Sequence, residues 1–136
     1  MRSLSVGRPL AAAGLLLCLA GPGQAQPGNG ANPLLNRLEA GQWELRGAGN
    51  SRILAICLGN PIQLTQPRHG NAPCTREVVA ADSDSLTVNY SCPGRGRGRT
   101  TLRVETPRLV QVDSQGLDQG MPFAIRAEAR RIGPCA

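Results

Sequence analysis

The sequence is nearly free of aromatic residues, with only Trp43, Tyr90 and Phe123. A core without aromatic bulk rests on burial of Leu, Ile, Val and Ala and is therefore modest. Lysine is absent, so every basic side chain is arginine, and His69 is the only histidine. Patterns that carry chemistry are equally scarce. Without a Cys-x-x-Cys, the chain lacks the thioredoxin-type redox pair and the knuckles of a Cys₄ zinc site. No Gly-x-Ser-x-Gly elbow, His-Glu-x-x-His or Cys/His nucleophile pair occurs. Glu39, Glu44, Glu77, Glu105 and Glu128 include no pair that spacing alone would join as an acid/base couple. These absences argue against a catalytic or metal centre, and the expected cofactor and metal complement is none.

The apolar run from Pro9 to Ala20 is too short for a membrane span, which needs about 20 residues. Arg2 and Arg8 precede it, and small residues at Gly23 and Ala25 follow, in the order of a secretory signal peptide. Cleavage is expected after Ala25, removing Cys18 and lowering the formal charge from +6 to +4. Residues 26–32, rich in Pro, Gly and Asn, read as a flexible leader. What remains, residues 33–136, is long enough for one domain and too short for two. The expected location is the periplasm or the medium.

Beyond the leader, Asn32 to Gly41 predicts one short helix, with Asn32 as cap, Pro33 in the first turn and Gly41 at the stop. From Trp43 the apolar period becomes two. Runs at Trp43–Arg46, Arg52–Leu58, Arg76–Ala81, Leu86–Cys92, Thr100–Glu105, Arg108–Ser114 and Phe123–Arg131 predict about seven half-buried strands. Short connections favour an antiparallel meander. The expected fold is mainly β, a curved sheet closing partly into a barrel or sandwich.

Cys57, Cys74, Cys92 and Cys135 remain after export, an even number in a small secreted domain, which reads as two disulfides. In the chain-entropy view each adds about 3–4 kcal/mol to a small core. Cys57 and Cys74 flank the loop around Pro61–Pro73, and Cys135 trails the last strand. The favoured pairing is therefore Cys57–Cys74 with Cys92–Cys135. Its competitor is Cys74–Cys92, since a hairpin turning near Ser83 and Asp84 sets those two nearly opposite.

Three places are candidate contacts for a ligand. His69 lies in the loop Gln66-Pro67-Arg68-His69-Gly70-Asn71, as a solvated or hydrogen-bonded side chain or as a general base. Trp43 heads the first strand, as a core anchor or a stacking surface for a sugar. Pro93-Gly94-Arg95-Gly96-Arg97-Gly98-Arg99 reads as a flexible hairpin turn, or as an anion contact through Arg95, Arg97 and Arg99. A strand rather than a helix follows it, which disfavours a phosphate loop, and export removes nucleic acid as a partner.

Taken in order, Gly41-x-Trp43-Glu44, Cys57-Leu58, Cys74 before a strand, Cys92-Pro93-Gly94 and Arg131-Ile132-Gly133-x-Cys135 resemble a proteobacterial family of small exported proteins classed as a domain of unknown function, the DUF3617 type. The resemblance runs from about Leu38 to Cys135. It implies a periplasmic, mainly β domain and carries over no catalytic residue. The chain departs from it in being Arg-rich and Met-poor, and in the segment Arg99–Arg108. The expected function is a non-catalytic binding or envelope-associated domain whose partner is an envelope component, a lipid, a glycan or a periplasmic protein. The alternatives are a small hydrolase or isomerase using His69, and a purely structural interaction module.

Overall fold

The computed structural model describes residues 32–136, so the expected signal peptide, Cys18 and all but the last residue of the expected leader lie outside the described residues. The predicted helix is reduced to a single 3-10 turn, Leu35–Arg37, because the chain turns extended at Leu38. Leu34, Leu35 and Leu38 nevertheless bury their side chains against the sheet.

Seven strands follow: β1 (Gly41–Arg46), β2 (Arg52–Leu58), β3 (Thr75–Ala81), β4 (Ser85–Cys92), β5 (Gly96–Thr106), β6 (Leu109–Asp118) and β7 (Met121–Gly133). All neighbouring pairs are antiparallel, and together they form one sheet of order β2-β1-β7-β6-β5-β4-β3. The sheet is open, neither a closed barrel nor a sandwich: β2 and β3 are its two edges. Strands β3 to β7 form the expected meander. The first hairpin instead joins the sheet beside the last strand, through pairs such as Glu44 with Arg130 and Leu45 with Ala129. Irregularities in register at Leu45/Arg46, Val78/Ala80 and Val104/Thr106 mark bulges, which increase local twist and bend strands.

The period-two reading holds in the core. Leu86, Val88 and Tyr90 on β4, Leu102 and Val104 on β5, and Val110 and Val112 on β6 are all buried on one face. Trp43 is fully buried, and its indole Nε1 donates to the Glu39 carbonyl at 2.9 Å. It is a core anchor, with no surface left for stacking a ligand. The other face carries the alternate residues, mostly Arg, Asp, Glu, Gln, Ser and Thr.

The disulfides pair differently from the favoured expectation: Cys57 with Cys135, and Cys74 with Cys92. Both follow from register. Thr75 lies opposite Ser91, so Cys74 and Cys92 come together at the same end of the β3–β4 hairpin. Gln42 pairs with Cys57 on one side and with Gly133 on the other, so the tail beyond β7 reaches β2 across β1. The Cys57–Cys135 bond thus ties the chain end to an edge strand.

Candidate binding site at the glycine–arginine end of the sheet

The connection from β2 to β3, residues 59–74, is a strap packed on the inner face of the sheet. It begins with a 3-10 turn, Pro61–Thr65, in which the Asn60 side chain accepts from the Ile62 amide at 3.1 Å. Leu64, Thr65, Gln66 and His69 are buried within it. Gln66 organises the strap. Its Nε2 donates to the carbonyls of Gly70 (2.8 Å) and Ala72 (2.9 Å), and its Oε1 accepts from Arg76 Nη2 on β3 at 2.6 Å.

His69 is set between β4 and β7. Its Nδ1 is 3.1 Å from the Tyr90 hydroxyl, and its ring packs edge-on against Tyr90 and Phe123, with centroids 5.4 and 5.9 Å apart. Nε2 is buried without a hydrogen-bond partner and lies 3.8 Å from Asp118 Oδ1, while Asp118 Oδ2 accepts from Arg68 Nε at 2.8 Å. Burial holds the imidazole pKa below its ordinary value. Asp118 opposes that shift, and the guanidinium groups of Arg68 and Arg95 add to it. Burial likewise pushes the Tyr90 phenol up. Both shifts favour the uncharged forms of the pair, which share the Nδ1–hydroxyl hydrogen bond. Only 1 % of the His69 side chain is exposed, so this acid/base pair has no open path to a substrate.

The alternation of glycine and arginine has a structural cause. Only Pro93 to Arg95 form the turn; Gly96 to Arg99 are already the start of β5. The glycines of β5 face inward and the arginines outward. A Cβ on Gly96 would stand 2.7 Å from His69 Nε2, and one on Gly98 2.6 Å from the Tyr90 hydroxyl oxygen. Gly98 pairs with Gly116 on β6, which in turn pairs with Phe123. The row Tyr90–Gly98–Gly116–Phe123 thus leaves a bare backbone strip between two aromatic residues, and the His69 ring fills its inner side.

On the outer face this bare row is the floor of a groove. Arg97 and Leu117 stand on one side of it, Asn89, Arg99 and Gln115 on the other. Arg46, Arg52, Arg103, Arg126 and Arg130, elsewhere on the outer face, each form a salt bridge with a carboxylate. Among the described residues Arg95, Arg97 and Arg99 form none, and Arg99 Nε donates to the neutral Asn89 Oδ1 at 2.8 Å. The structure therefore brings together Arg97 and Arg99 on the outer face and places Arg95 at the sheet end, near His69. Trp43 lies apart from this group, in the core.

Sequence reasoning missed Tyr90, Asp118, Phe123, Gly98 and Gly116 as parts of one arrangement. The available signal was glycine at every second position of a strand, which marks a close approach rather than a flexible turn. Among the described residues, no group of three or more His, Cys, Asp or Glu side chains is arranged to hold a metal ion. No helix among them is long and apolar enough to cross a membrane.

No protein-family model, curated protein or solved structure matches the chain.

Proposed function

We propose that this chain is an exported, non-catalytic binding domain that takes an anionic group on the outer face of the sheet, at Arg97 and Arg99. The observation that carries this is the absence of carboxylate partners at these two exposed arginines, on a face where the other arginines are neutralised. A guanidinium presents a fork of donors that suits phosphate, sulfate and carboxylate. Two of them stand two residues apart on the outer face of β5, close enough to engage one anionic group together. Two disulfides are consistent with an oxidising compartment such as the periplasm or the outside of the cell. The resemblance to the exported family of unknown function points the same way.

The test is retention of the oxidised protein on a sulfated polysaccharide at low salt. The double variant Arg97→Gln/Arg99→Gln should elute at clearly lower salt with an unchanged melting temperature, because both side chains are exposed. Equal retention of the variant and the parent would refute the assignment.

The reading as a protein-interaction module draws support from the edges. Val78 and Val79 on β3 and Ile53 on β2 are exposed apolar residues on strands with a free side. Chemical cross-linking in the living cell distinguishes it, by recovering a protein partner through β2 or β3.

A further inference from the structure

We infer that the anionic partner is a lipid surface, met end-on by the rim of the sheet that holds Arg95, Arg97 and Met121. This rests on the anion-binding reading and adds the class of partner. Met121 is 70 % exposed, the most exposed of the large apolar side chains in the described domain. It opens β7 directly after the Gln119–Gly120 turn, and exposed Pro122 follows it. The Gln119 amide donates to the Arg95 carbonyl at 2.7 Å, which holds this turn against the β4–β5 turn. One end of the sheet therefore carries an exposed apolar side chain and two cationic ones that lack carboxylate partners among the described residues. The nearest acid, Asp118, is already engaged by Arg68.

A soluble polyanion has use for the arginines but none for Met121 and Pro122 in water. A bilayer interface of anionic lipid uses both: the arginines meet headgroup phosphates while the apolar side chains enter the acyl boundary. Each arginine brought to such a surface contributes a factor of about five in partitioning, and salt screens that contribution.

The experiment is co-sedimentation of the oxidised protein with phosphatidylglycerol/phosphatidylcholine vesicles and with vesicles of phosphatidylcholine alone, beside retention on the sulfated polysaccharide. The same chain carries every variant, so its N-terminal residues contribute equally throughout. Sedimentation with the anionic vesicles only is expected. Arg97→Gln should lower both vesicle binding and polysaccharide retention. Met121→Gln, which removes the apolar contact without changing the charge, should lower vesicle binding several-fold and leave retention on the polysaccharide near that of the parent. Polysaccharide retention without vesicle binding overturns the lipid assignment and leaves the anion site standing. Loss of neither property in Arg97→Gln overturns both. Equal binding to the two kinds of vesicle overturns the electrostatic contact with lipid.

Discussion

The only histidine of the chain is carried by the strap and buried against the sheet, its Nδ1 3.1 Å from the hydroxyl of Tyr90. Tyr90→Phe removes the hydroxyl partner and leaves Nδ1 buried and unpaired, at a cost of about 1–3 kcal/mol. Urea denaturation at neutral pH should show the loss as a lower midpoint with an unchanged slope.

Because burial lowers the folded-state pKa of His69, the unfolded chain binds a proton more readily than the native one. Stability from this group is full above the unfolded value of about 6.5 and falls as pH drops from there through the lower folded value. The carboxyls of Asp82 and Glu128 are shifted downward from values that are already acidic, so they contribute little to this window. The urea midpoint should decline between pH 7 and about 5, and His69→Gln should flatten that decline. An equal slope in the variant would remove His69 as its source.

Gly98→Ala tests the bare strip. The new methyl would stand 2.6 Å from the Tyr90 hydroxyl oxygen and 2.8 Å from the Gln115 carbonyl, and a backbone carbonyl cannot swing aside. Overpacking of this kind costs about 1–3 kcal/mol. Calorimetry should show a melting point several degrees lower, whereas Gly59→Ala, whose added methyl meets nothing within 4 Å, should leave it nearly unchanged.

The bond pattern is open to direct reading. Peptide mapping of the unreduced protein should yield fragments joined through Cys57/Cys135 and Cys74/Cys92. The first closes a separation of 78 residues and the second one of 18. Replacing the first pair by serine should cost about 4–5 kcal/mol and the second about 3, by loop closure.

Gln66→Ala removes the hub of the strap and leaves the half-buried Arg76 guanidinium without its acceptor. Limited proteolysis at Arg68 should accelerate markedly, while cleavage within β5 and β6 should not.

Strands β4 to β7 were legible because each carries a period-two alternation in sequence, and strands also form at the expected runs Trp43–Arg46, Arg52–Leu58 and Arg76–Ala81. Their order was only partly legible. Hairpins are local, but nothing in Trp43–Arg46 says that its second partner is Ala129–Arg131, and the disulfide pairing depends on that contact. The Gly-Arg run was read as a turn because glycine usually marks one. Its true cause is distant in sequence, since His69 and Tyr90 occupy the space that side chains at 96 and 98 would need. Burial of His69 was hidden for the same reason: a polar loop gives no sign of the aromatic residues it will cover.

The sheet order also fixes a timetable. Strand β1 is synthesised first but borders β7, which is synthesised last, so residues 41–58 remain half-paired until the C-terminal strand arrives. The Cys74–Cys92 hairpin is complete long before then and is free to oxidise early. The Cys57–Cys135 bond joins an early strand to a residue just beyond the last strand of the sheet, so Cys57 keeps a reactive thiol until β7 has docked on β1. The completed bond then serves as a chemical record that the first hairpin has docked on the last strand.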